Sequence, residues 1–141
     1  MLEVADMIEI EQVLNHVHHI IDERAFASLH LVYAEDAIYD LSYRNLPPAK
    51  GIAAISELCA SSYKQDFSHL VGHHATNIYI YEDENGVVRA KSKVICVMED
   101  GTSTSADFND VITKTSKGWR IQQRVASTRH RHAENWTKSS D

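Results

Sequence analysis

Histidine is the side chain whose proton comes and goes near neutral pH, and this chain of 141 residues carries nine of them against two cysteines. Three stand close together as His16, His18 and His19, with Asp22 four residues after His18. On a helix, residues three or four apart are neighbours, so His16 with His19, or His18 with Asp22, could share a ligand. Zinc asks for three or four convergent donors, however, and this spacing brings only two together at a time. The expectation is a solvated helix face and no metal. A different use of imidazole is general acid/base work, in which a buried carboxylate fixes the ring's tautomer and steadies the imidazolium. That pairing suits eliminations and isomerisations and needs neither metal nor nucleotide. No nucleophile elbow, phosphate loop or dinucleotide fingerprint occurs in the sequence. Cys59 and Cys96 fit apolar stripes and form no CxxC pair, which predicts a reducing, cytoplasmic setting.

The elements that must position such groups can be read from hydrophobic periodicity. Ile10, Val13, Leu14, Val17, Ile20 and Ile21 recur at helical spacing and predict an amphipathic first helix. A second helical stretch is expected at about Arg24 to Ala34, with Phe26, Leu29, Val32 and Tyr33 as its apolar side. Ala37 to Tyr43 reads as a strand, broken by Leu46-Pro47-Pro48 because proline cannot donate to a ladder. Gly51 precedes a third helix running to about Tyr63. From residue 71 onward the residues alternate, giving strands at His73 to Tyr81, Val87 to Met98, Thr104 to Thr115 and Trp119 to Ser127. Asn85-Gly86 supplies a hairpin turn between the first two. Trp119, Ile121, Gln123 and Val125 are expected to share a face of the last strand. Segregated helices and strands predict an α+β fold, with three N-terminal helices packed on a cone-shaped, mixed but mostly antiparallel curved sheet that encloses a pocket. The expected organisation is one domain over residues 1–128 and a polar tail over 129–141.

Several stretches resemble the nuclear-transport-factor-2-like superfamily, specifically its SnoaL-like branch. They are Tyr33-Ala34-Glu35-Asp36-Ala37, the helix opening Gly51-Ile52-x-x-Ile55, the strand His73-His74-Ala75-Thr76-Asn77 and the terminal Gly118-Trp119-Arg120-Ile121. Within the superfamily the likeness is greatest to scytalone dehydratase and hexachlorocyclohexane dehydrochlorinase, both cofactor-free lyases with an aspartate–histidine pair. The resemblance implies that Asp22, in Ile21-Asp22-Glu23-Arg24, and His73, first residue of its strand motif, form such a dyad. It also implies a homodimer or homotrimer. From the residues alone, His73 can equally be a half-buried strand histidine bonded to a neighbour. Asp22 can equally be the N-cap of a second helix, or it can close the first, where the helix dipole disfavours its charge.

Other candidates line up around that pair. Aligned on the Tyr33–Ala37 segment, the base of ketosteroid isomerase would fall at Leu41 rather than Asp40. A one-residue offset on a strand reverses the face, so Tyr39 and Leu41 are expected to face the pocket and Asp40 away from it. Tyr39 and Tyr33 could donate to a substrate oxygen, although core packing also suits Tyr33. Asn77 is expected on the face of His73, and Phe108 with Asp110 on the pocket face of its strand.

Composition narrows the function. The net charge of −6 argues against a nucleic-acid partner, and no apolar run is long enough for a membrane span. The reading is a cofactor-independent lyase or isomerase that acts on a small, apolar, cyclic molecule, with His73 as base and Asp22 orienting it. The alternative is a non-catalytic small-molecule-binding or protein-association module of the same fold.

Overall fold

The computed structural model describes residues 1–65 and 67–128. The expected tail at 129–141, with His130 and His132, lies outside the described residues. Helix α1 spans Val4–Asp22 and buries Ile10, Val13, Leu14, Val17 and Ile20, the stripe its spacing predicts. It ends where Arg24 turns into the left-handed region at φ 56° and Ala25 donates back to the Ile20 carbonyl. The expected second helix is only a 3-10 segment, Phe26–Leu31. Beyond it the sheet takes over: the Val32 carbonyl accepts the Ile121 N–H, and Tyr33 opens strand β1 (Tyr33–Asp40). A two-residue strand, β2 (Ala49–Lys50), pairs back on β1, and its shortness beside the prolines leaves no period in the sequence. Helix α2 (Ile52–Lys64) starts at Gly51, whose φ of 82° suits glycine and whose N–H reaches the Ala37 carbonyl.

Strands β3 (Leu70–Glu82), β4 (Val88–Met98), β5 (Ser103–Thr115) and β6 (Gly118–Thr128) form an antiparallel meander. β1 joins it parallel to β6, so the sheet order is β2-β1-β6-β5-β4-β3. The helices pack on one face, and the core lies between that face and α1 and α2. A second apolar cluster of Leu41, Val94, Cys96, Phe108 and Ala126 sits beside it.

Two bulges reset which side chains face inward. Ile121 pairs with Ile112 but Gln123 pairs with Val111, so Gln122 is an extra residue in β6. Past it the alternation flips: Arg124 and Ala126 are buried, and Gln123 and Val125 no longer share the buried face of Trp119 and Ile121, contrary to the period-two reading. In β3 the register slips between Thr76 and Tyr79 around Asn77, itself left-handed at φ 53°.

The first bulge places a guanidinium in the core. Arg124 Nε and Nη2 donate to the two oxygens of Asp110, each at 2.8 Å, with both side chains at most 1% exposed. The Arg124 head also lies 4.3 Å from the centroid of the Phe108 ring. Removing one member strands a buried charge, whereas replacing both removes the desolvation problem as well. Arg124→Met is therefore expected to lower urea-unfolding stability by about 3–5 kcal/mol, and adding Asp110→Leu should restore most of it. A double variant as unstable as the single one would show that the pair stabilises by more than mutual satisfaction.

Candidate active site

The last residue of α1 and the beginning of β3 meet at the open side of the core. The Asp22 carboxylate does not cap the 3-10 segment, which Ala25 precedes without a side-chain cap. It turns to β3 instead. Oδ2 accepts the His73 backbone N–H at 2.8 Å, and Oδ1 receives His73 Nδ1–H at 2.6 Å and Tyr63 O–H at 3.1 Å. Gly72 permits this approach, since a Cβ there would lie 3.2 Å from Asp22 Oδ2. An ionised carboxylate only accepts, so Nδ1 carries the proton and Nε2 is the nitrogen left for chemistry.

The pair is partly sheltered, with side-chain exposures of 25% for Asp22 and 12% for His73. Burial by itself raises the Asp22 carboxyl, but the bonds from His73 and Tyr63 outweigh it and hold the group below its usual range. Burial likewise depresses the His73 imidazole, and the bond to Asp22 together with contact to Cys96 reverses this and raises it to about 9. At pH 7 the resting pair is thus an imidazolium–carboxylate, with only a minority of molecules holding a free base.

His73 forms one wall of a partly open pocket whose cavity volume is about 70 Å³. Tyr39 on β1, Leu41 just past its end and Phe108 on β5 line it, as expected from the sequence. Tyr63, Phe67 and Cys96 line it too, and sequence reading gave them no part in the site. Asp40 points elsewhere and accepts the Ser42 N–H at 2.7 Å.

Two expected placements are corrected, and Tyr33 takes the packing alternative. Asn77 does not share the pocket with His73: its bulge turns it to solvent, where its oxygen accepts from Thr76 Oγ1 at 2.9 Å. Asp110 lies in its ion pair with Arg124 and not on the pocket wall. Tyr33 is a fully buried core residue behind Tyr39, with ring centroids 6.4 Å apart.

His18 is the largest departure from expectation. Far from a solvated face, it is 4% exposed, stacked on Phe108 at 5.8 Å and 5.6 Å from the His73 ring. Neither of its ring nitrogens has a hydrogen-bond partner among the described residues. Burial above all, and then the Arg124 and His73 charges, holds it neutral. The signal was present, because His18 follows Leu14 by four residues and so extends the apolar stripe. His16 and His19 are exposed, while His69 pairs with Glu99 at 3.0 Å and His30 with the Ala27 carbonyl at 2.8 Å.

The comparisons with known proteins agree with this architecture. Among solved structures, a nuclear-transport-factor-2-like protein with a cystatin-like fold from Novosphingobium aromaticivorans matches at TM-score 0.75 and 19% identity, covering 93% of this chain and 86% of its own. From the same organism, a protein designated a candidate aromatic ring hydroxylase matches at 0.73 and 22%, covering 92% and 93%. Another, designated a candidate scytalone dehydratase, matches at 0.68 and 18%, covering 90% and 86%. At such identities these likenesses establish the fold, an α+β cone of the cystatin-like class. The chain belongs to the family of SnoaL-like domains, whose model matches residues 2–125. No curated protein matches it significantly. Among the described residues no helix is long and apolar enough to cross a membrane.

The pair links folding to pH from both sides. A raised His73 contributes stability that is complete below its ordinary value of 6.5 and is lost as pH rises through about 9. A lowered Asp22 contributes stability that is complete above 3.8 and is lost as pH falls through its folded value. The stability difference between wild type and Asp22→Asn in urea unfolding should be largest between about pH 4 and 6.5 and shrink on either side. A difference that stayed flat from about pH 5 to 10 would contradict the assignment.

Proposed function

We propose that the protein is a cofactor-independent lyase or isomerase of the dehydratase or dehydrohalogenase type, acting on a small, apolar, cyclic molecule. The observation that carries this reading is the 2.6 Å bond between Asp22 and His73 at the wall of a largely apolar pocket. His73 Nε2 takes a proton from carbon, the C–H electrons form the new double bond, and a hydroxyl or halide leaves. Asp22 fixes the tautomer and stabilises the imidazolium that results. Tyr39 donates to the departing or developing oxygen. Burial raises its phenol well above the ordinary value, so it stays protonated as the step requires. The elevated basicity of His73 suits a weakly acidic carbon-bound proton, at the expense of the fraction that is deprotonated at neutral pH.

The test needs no knowledge of the natural substrate. Exchange of the α-protons of 2-tetralone, a bicyclic enolisable ketone, into deuterated buffer can be followed by proton NMR. Wild type should accelerate exchange over His73→Ala by about 10²–10⁴-fold. The rate should climb with pH toward the His73 value of about 9, since the base must be deprotonated. Exchange no faster than with His73→Ala, despite measurable tetralone binding, would favour the non-catalytic binding module.

A further inference from the structure

A nucleophile faces the same imidazole from the neighbouring strand. Cys96 on β4 is the residue directly opposite His73 on β3, and both side chains line the pocket. Directly opposite residues of antiparallel strands point to the same face with their Cβ atoms about 4.5–5.5 Å apart. His73 Nδ1 is committed to Asp22, which leaves Nε2 for a second partner. Thiol, imidazole and carboxylate thus follow one another, the order in which an activated nucleophile, its base and the base's orienting group are arranged.

We propose that Cys96, His73 and Asp22 form a nucleophilic triad, and that the pocket captures soft carbon electrophiles of the α,β-unsaturated carbonyl class. This goes beyond the lyase reading, because no carbon-bound proton need be removed from the ligand. In the molecules whose His73 is deprotonated, the Cys96 S–H proton passes to His73 Nε2, and sulfur bonds to the β-carbon. The C=C π electrons shift so that the carbonyl becomes an enolate, whose oxygen receives a hydrogen bond from Tyr39. The His73 proton then returns to the α-carbon, giving a saturated thioether adduct with every atom accounted for. Contact between the thiol and the imidazole helps raise His73, which favours proton transfer from sulfur. Acyl transfer is the weaker use of the same groups. Cys96 lies within a strand paired on both sides, so its backbone N–H is committed to the sheet and cannot help form an oxyanion hole.

The pocket contains its own control. Cys59, on α2, lines it as well, but burial pushes its thiol up to about 12 and no imidazole adjoins it in the described contacts. Thiolate supply governs cysteine reactivity, so the two thiols should differ sharply. The intact chain is incubated with 2-cyclohexen-1-one, a cyclic enone, and labelling is followed by whole-protein and peptide mass spectrometry. The expected result is a single adduct, on Cys96, forming at least about tenfold faster than any adduct on Cys59. Asp22→Asn and His73→Gln should each slow labelling of Cys96 by about tenfold or more. Failure of wild type to label, equal labelling of both cysteines, or a Cys96 rate indifferent to both variants would overturn the proposal. These rates do not depend on tetralone exchange, so the triad and the lyase reading can fail separately.

Discussion

Asp22 ends a helix, yet both of its oxygens are taken up by a strand that begins far along the chain. A carboxylate at a helix C-terminus faces the unfavourable end of the dipole, and partial burial adds to the cost. Three donors, the His73 N–H, the His73 ring and the Tyr63 hydroxyl, satisfy it. That one requirement fixes much of the site. It ties α1 to β3 and α2, favours a residue without Cβ at Gly72, and locks the His73 tautomer. It also aims the remaining nitrogen where both the proposed lyase chemistry and the proposed Cys96 chemistry need it. Were the carboxylate to turn away, the helix, the strand and the imidazole would lose their common fixed point.

A second buried ion pair lies close by without merging with the first. From the core outward run Arg124, Phe108, His18 and His73, with separations of 4.3, 5.8 and 5.6 Å. The two cations at the ends each have their own carboxylate, Asp110 and Asp22. Between them stand one aromatic face, attractive to a cation, and one imidazole held neutral by burial and by both charges. A charged His18 would place a third cation in this column. Its neutrality is what allows His73 to hold a proton beside it.

Much of this was legible in the sequence, and the failures have two causes. Tyr39 on β1, Phe108 on β5 and Leu41 just past the end of β1 face the pocket as read, although the pairing of β1 with β6 is irregular between Tyr33 and Ile38. The dyad emerged because a family motif named positions that periodicity alone left ambiguous between cap, packing and chemistry. Gln123, Val125 and Asn77 were misread because each lies at or just past a bulge, and one extra residue reverses every face beyond it. A bulge depends on pairing with a partner strand, so a period-two count along one strand does not reveal it. His18 failed for a different reason: a polar residue on an apolar stripe was assigned by its type rather than by its angle on the helix. Cys96 was correctly placed on the buried side of its strand, but its opposition to His73 is a matter of register, which becomes visible only once β3 and β4 are paired.

The coupling between Asp22 and His73 is open to direct observation. A titration of the His73 ring nitrogens by ¹⁵N NMR should give a midpoint near 9, with Nδ1 still protonated after the proton is lost. In Asp22→Asn the midpoint should fall to 6.5 or below, because burial then acts without the carboxylate. A wild-type midpoint near 6.5 that does not move in the variant would contradict the account at its centre.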